Sequence, residues 1–224
     1  MLSESIQREI SNYGFGKSHG AVEQLSSLLG SSLGVGFLYY FLTCNTKARV
    51  CVCVGSGGGF VPALMRQAQI DHMIVNSKTI LIDANITAPN LIKEWGNDYV
   101  EVPIWIDKPD DAFSRRYIAV IETIIKTSDD AVFDMTEPID YLHLDGDHSY
   151  DQVKKDFHNY ASLVKDGGYI TLHDIHPEAP DNITGVRKFL NELRQTSEYD
   201  IFYFEPSGWS QDMGTALIKK IIGV

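Results

Sequence analysis

RVCVCVGSGGGF, from Arg49 to Phe60, is the stretch from which the fold is read. Val50 to Val54 is a short run of β-branched and small apolar residues with no polar alternation. Such a run suits a strand buried on both faces, as in a parallel sheet covered by helices. Gly55, Gly57, Gly58 and Gly59, with Ser56 between them, end it. Glycine there allows positive φ and lets backbone N–H groups approach a ligand with no Cβ in the way. Pro62 then falls in the first turn of a helix expected over Val61–Gln69. Strand, glycine turn and helix together form a unit suited to a nucleotide-like ligand.

The glycine spacing narrows that ligand. A dinucleotide fingerprint needs G-x-G-x-x-G, and Phe60 stands where its third glycine belongs. Gly55, Gly57 and Gly59 give G-x-G-x-G instead. This resembles motif I of the class I S-adenosylmethionine-dependent methyltransferases, and the resemblance implies that Gly55, Ser56, Gly57 and Gly59 line the cofactor. TILIDANI, Thr79 to Ile86, reads as a second buried strand that reaches Asp83. In nucleotide-binding α/β folds an acid at this point accepts hydrogen bonds from the ribose hydroxyls. Its separation from Gly55 exceeds the usual ~20 residues, so a turn aspartate is the alternative.

Composition bounds what surrounds this unit. A chain of 224 residues with 44% hydrophobic content and a mean hydropathy of −0.12 can bury one sizeable core, with or without a small appendage. We expect an N-terminal helical or lid segment over residues 1–48 and the S-adenosylmethionine-binding domain over 49–224. A formal charge of −11 argues against nucleic acid as a partner, since the phosphate backbone calls for clustered Lys and Arg. Cys44, Cys51 and Cys53 read as small core hydrophobes in a reducing compartment. With no apolar run of membrane-spanning length and no leader-like start, the expectation is a cytoplasmic protein without a membrane partner. A homo-oligomer stays open.

In chain order, Leu2–Ile10 suits a short polar helix and Ser11–Gly20 a glycine-rich loop. Gly16-Lys17-Ser18 imitates the end of a phosphate-binding loop, but Ser11 occupies the place of the required first glycine. Ala21–Leu29 has helical apolar spacing, with Gly30 as its stop, and Phe37–Leu42 suits a core helix or strand. Val100–Asp107 reads as a third strand, with Pro103 marking an edge or a bulge. Phe113, Tyr117, Val120, Ile121 and Ile124 give helical periodicity over Ala112–Thr127.

The next two strands carry the chemistry. IDYLHLDGDHSY, Ile139 to Tyr150, is a strand ending at Asp145, and DGGYITLHDIH, Asp166 to His176, is another ending at His173 and Asp174. An amphipathic helix over Ser149–Val164 joins them, so the crossover is right-handed and both ends lie at the ligand-binding edge of the sheet. Thr184–Thr196 is a further helix, and Tyr199–Glu205 and Gly214–Ile222 are further strands. The expected fold class is α/β: a three-layer Rossmann-like domain with a mostly parallel seven-stranded sheet and an antiparallel last strand.

LDGDHSYDQVKKD, GGYITLHDI and the tail GWSQDMGTALI together resemble one branch of the class I methyltransferases. It contains metal-dependent sugar and macrolide O-methyltransferases and cephalosporin-hydroxylase-like proteins. The resemblance implies a divalent metal held by an aspartate ending the fourth strand and two consecutive acids ending the fifth. Asp145 matches the first and Asp174 the last, while His173 stands where an acid is usual. Magnesium prefers all-oxygen shells, so an imidazole shifts the expectation toward manganese or iron. Strand alternation would send His173 and Asp174 to opposite faces unless the strand is already bending.

His148 follows Asp145 by three residues, about one helical turn, and its type has a pKa suited to accepting a hydroxyl proton. The same resemblance makes it the catalytic base, with Asp147 and His176 as further candidates; Asp147 could instead cap the following helix. The function implied is metal-assisted O-methylation of a small-molecule acceptor by S-adenosylmethionine. A hydroxylase-like reaction or a non-catalytic binding protein are the alternatives.

Overall fold

The computed structural model describes residues 2–11, 19–26, 30–55, 59–84, 90–92, 100–102, 112–176, 184–205 and 213–221. Helix α1 (Glu4–Ser11), strands β1 (Val22–Ser26) and β2 (Gly30–Ser32) and helix α2 (Gly36–Thr46) lead into β3 (Val50–Gly55) and α3 (Phe60–Asp71). Then follow β4 (Lys78–Ile82), β5 (Asn90–Ile92), β6 (Val100–Val102), α4 (Ala112–Tyr117), β7 (Glu122–Ile124) and α5 (Ser128–Ala131). β8 (Ile139–Asp145), α6 (Tyr150–Ala161), β9 (Val164–His173), α7 (Thr184–Leu193), β10 (Tyr199–Phe204) and β11 (Thr215–Lys220) complete it.

Seven strands form one sheet in the order β10-β11-β9-β8-β3-β4-β7. β9, β8, β3, β4 and β7 are parallel neighbours, and β11 runs antiparallel to both β9 and β10. The alternation of the strands sorts their side chains into two layers. Val50, Val52 and Val54 join Ile80, Ile82, Leu142 and Leu144 in a core with Val153, Phe157 and Tyr160 of α6 and Val186, Phe189 and Leu190 of α7. Cys51, Cys53, Leu81 and Tyr141 point the other way, against Tyr39 and Leu42 of α2 and Phe60, Val61 and Leu64 of α3. Phe157 and Phe189 lie with ring centroids 5.2 Å apart, a buried contact of the kind whose truncation to alanine costs about 3–5 kcal/mol. Ile10, Ala21, Leu33 and Tyr39, all before β3 in the chain, share the second core with the sheet.

Three expectations need correction. Residues 22–26 form β1, paired antiparallel with β2 in a small separate sheet, where apolar spacing suggested a helix; Gly30 is the start of the return strand, not a helix stop. The described part of Val100–Asp107 is β6, which pairs with β5 outside the main sheet. The seventh main-sheet strand is β7, inside the stretch read as helix: α4 ends at Tyr117, the chain turns, and Glu122–Ile124 pairs with β4. A three-residue strand is too short to display a period of two, while Tyr117 and Ile121, both buried, mimic one face of a helix. Residues 16–18 and 103–107 lie outside the described residues.

Candidate active site

The register places the chemistry at the C-terminal edge of the parallel strands. Gly55 pairs with Asp145, and Leu144 with Leu172, so β8 ends between the glycine turn and the end of β9. Gly55 has φ +79, and a Cβ there would lie 2.1 Å from the Asp145 carbonyl oxygen. Its glycine is therefore required by the neighbouring strand. Gly59 has φ +77 and caps α3 without a side-chain hydrogen bond, leaving the first N–H groups of the helix facing the turn. Asp83 follows β4 directly, half-buried, one strand over from Gly55. Ser56 and Gly57 lie outside the described residues.

The bend that joint ligation requires is present. Asp174 has φ +59, left-handed backbone immediately after the last residue of β9. Alternation breaks there, and both His173 and Asp174 reach Asp145. His173 Nδ1 lies 3.3 Å from Asp145 Oδ1 and 3.3 Å from Asp174 Oδ1. A non-glycine residue in this region is strained, and such strain concentrates at functional sites. In the turn after β8, Asp147 Oδ1 accepts a 2.7 Å hydrogen bond from Ser149 N. Asp147 thus braces the turn into α6, whose N-cap position belongs to Ser149, and the turn swings His148 back over the carboxylates. His148 Nε2 lies 2.8 Å from Asp174 Oδ2 and 3.5 Å from Asp145 Oδ1. His176 is buried nearby, its backbone N–H bonded to Met213 O.

Two further histidines enter that the sequence reading missed. His143 shares a face of β8 with Tyr141 and Asp145; its Nδ1 is bonded to Thr171 Oγ1 at 2.8 Å, and its Nε2 faces Asp145 Oδ2 at 3.8 Å. Strand alternation was the signal, since Tyr141, His143 and Asp145 are spaced by two, as are Tyr169, Thr171 and His173. His19 arrives from the N-terminal segment, fully buried. Its ring stacks on Phe60 with centroids 4.9 Å apart and lies 3.9 Å from the His173 ring. No local pattern marks it.

Charge is densely coupled here. Burial alone would lower the His173 pKa, but the Asp174 and Asp145 carboxylates overcome it and hold it well above the ordinary imidazole value. For His148, burial again pulls down and the same carboxylates push up, to about 10. The expectation of an ordinary imidazole pKa at His148 is thereby corrected: facing two carboxylates, it keeps its proton at neutral pH. Asp145 and Asp174 show the reverse balance. Burial would raise them, and His173 with His148 and, for Asp145, His143 hold them below the usual carboxylate range. Burial keeps His143 and His19 low, hence neutral. Among the described residues, two groups of side chains could hold a cation, Asp145 with His148 and Asp174, and Asp145 with His19 and His173; within each group the ligating atoms lie within 4.8 Å of one another.

Known proteins share this architecture. The O-methyltransferase TomG of Streptomyces achromogenes, involved in tomaymycin synthesis and solved in complex with SAM, superposes with a TM-score of 0.61 at 17% identity, over 95% of this chain and 89% of that one. An O-methyltransferase from Bacillus cereus in complex with SAH gives a TM-score of 0.59 at 13% identity, over 82% and 78%. At such identities the likeness is one of fold. An uncharacterized protein of Acanthamoeba polyphaga mimivirus is 34% identical over 86 residues, which is 36% of this chain and 38% of that protein. A family model described as a methyltransferase domain matches residues 29–175, from just before β2 to just past Asp174. On that match, the chain belongs to this methyltransferase-domain family.

Proposed function

We propose that the protein transfers the methyl group of S-adenosylmethionine to a hydroxyl oxygen of a small molecule, with a divalent cation at Asp145, His173 and Asp174. One observation carries this reading: both carboxylates and the His148 and His173 imidazoles converge at the strand ends beside Gly55. The donor set suits a divalent ion, with two carboxylates to match its charge, and the imidazole favours manganese or iron over magnesium. S-adenosylmethionine supplies an electrophilic methyl group, and Gly55, Ser56, Gly57 and Gly59 with the uncapped start of α3 would hold it, Asp83 taking the ribose hydroxyls. A cation would offset the carboxylate charge that keeps the proton on His148 and would lower the pKa of an acceptor hydroxyl.

The remaining work falls to the protein. Asp145 and Asp174 orient His148 Nε2 toward the strand ends. His148, once free to lose its proton, accepts that of the hydroxyl, so that an oxygen nucleophile forms in line with the methyl group. His143, His173 and Asp174 are buried at these strand ends, which limits the water that reaches them. Calorimetric titration of S-adenosylmethionine, with and without divalent metal, tests the reading. Micromolar binding that persists in chelator, together with metal binding that depends on Asp145, supports it; no binding of S-adenosylmethionine sinks it.

A further inference from the structure

We propose that His19 is a metal ligand, and that with Asp145 and His173 it presents a two-imidazole, one-carboxylate face that selects a transition-metal ion over magnesium. The inference deepens the reading above and rests on its cation at Asp145. Three independent features of His19 fit a ligand. Its Nε2 is fully buried and, among the described residues, without a hydrogen-bond partner, a costly condition for a polar atom unless something is held there. His19 offers a ring nitrogen to the group formed with Asp145 and His173, whose ligating atoms lie within 4.8 Å of one another. Three donors ~2.1 Å from one ion lie ~3.0–3.6 Å apart on a face, so a pair at the 4.8 Å limit has to close by ~1.2 Å or more.

The third feature is the way the ring is held. His19 Nδ1 bonds to the Tyr39 hydroxyl at 2.9 Å, and that hydroxyl to Thr215 Oγ1 at 2.7 Å. With Nδ1–H donating to Tyr39 and Tyr39 donating to Thr215, Nε2 keeps its lone pair for the site. Metal-bound histidines are fixed in tautomer and orientation by this kind of outer bond. Behind the ring, the His19 carbonyl accepts from Val35 N at 2.9 Å, and Phe60 stacks on its face. A buried imidazole bonded at Nδ1 and stacked on Phe60, grouped with a carboxylate and a second imidazole, is a built donor. His143, its Nδ1 anchored on Thr171, is a positioning residue beside Asp145.

Imidazole donors follow the series from manganese up to copper and suit magnesium poorly. The full chain, stripped with chelator, should therefore bind Co(II) or Zn(II) at least ~100-fold more tightly than Mg(II) in calorimetric titrations. His19→Ala should weaken Co(II) binding at least ~10-fold and shift the visible d–d bands of bound Co(II), while S-adenosylmethionine binding and the far-ultraviolet circular dichroism stay as in the wild type. Should the alanine variant fail to fold, His19→Gln fills the space with an oxygen donor, and it should narrow the Co(II) preference over Mg(II). Equal wild-type affinity for Co(II) and Mg(II), or unchanged Co(II) affinity and spectrum in the His19 variants, overturns the proposal and leaves the Asp145 cation standing. Co(II) binding that survives Asp145→Asn removes the cation reading itself, and this inference with it.

Discussion

Strand β8 carries an aspartate at each end, and their surroundings could hardly differ more. At its start, Asp140 Oδ2 accepts from Arg49 N at 2.9 Å and Val50 N at 2.8 Å, and Oδ1 meets Lys165 Nζ at 2.7 Å. These bonds tie β8 to the first residue of β3 and to the opening of β9. At its finish, Asp145 faces His143, His148 and His173, every one of which could give up a proton or bind a cation. A carboxylate bonded to backbone amides and a lysine is architecture, because those bonds fix two strands together. A carboxylate set among imidazoles is chemistry, because an imidazole can carry a proton or give its lone pair to a cation.

Substitutions should separate the two ends. Asp145→Asn keeps the shape and removes the charge; divalent-metal binding should vanish in metal analysis. Cation stabilisation is worth several kcal/mol, so turnover should fall ~10³-fold or more. His148→Ala comes next: metal and S-adenosylmethionine affinity should hold while turnover drops by ~10² or more, with partial recovery at high pH as the acceptor ionises unaided. An ascending limb of the pH–rate profile that stays in place in this variant assigns the base elsewhere.

Stability against pH reads the same cluster without an assay of activity. In chelator, Asp145 and Asp174, whose pKa values are lowered by His173 and His148 despite burial, contribute stability above ~3.9 that is lost as the pH falls. His148, raised to about 10 by the two carboxylates against the pull of burial, contributes fully below ~6.5 and loses it as the pH climbs through 10. With His19 and His143 kept neutral by burial, stability also falls below ~6.5, so the melting temperature should peak near ~6.5 and decline on both sides; a flat profile to pH 10 would break the coupling described here. Asp140→Ala is the smallest expected effect. Stranding two backbone donors costs about 1–3 kcal/mol, a few degrees for each kcal/mol at this chain length, with metal affinity unchanged. If Asp140→Ala instead costs metal affinity, or Asp145→Asn only stability, the contrast between the two ends is lost.

What could be read in advance follows from which forces are local. The buried runs at Val50–Val54 and Thr79–Ile82, the glycines that end the first, and the aspartates ending the carboxyl-terminal strands are written in consecutive residues, so sheet and site edge were legible. β7 was hidden because three residues display no period, and β6 because a good strand sequence does not say which sheet it joins. The spacing that puts His148 beside Asp145 was legible, yet its protonation was not: it depends on two carboxylates from different strand ends meeting one ring. His19 was invisible for the same reason carried further, since the hydrogen bonds that aim it run through Tyr39 to Thr215, 176 residues beyond Tyr39 in the chain.

That long reach bears on how the molecule is made. β11 is synthesised after every other strand of the sheet, yet it sits inside the sheet, between β9 and β10. Until it emerges, the outer edge of β9 has no neighbour, and β10, already made, has nothing to pair with. Open strand edges of this kind invite wrong pairings. The residue that opens β11 is Thr215, which holds Tyr39 and through it His19. A nascent chain can thus build the glycine turn and the carboxylate edge early, but it receives its N-terminal histidine only when the last strand slots home.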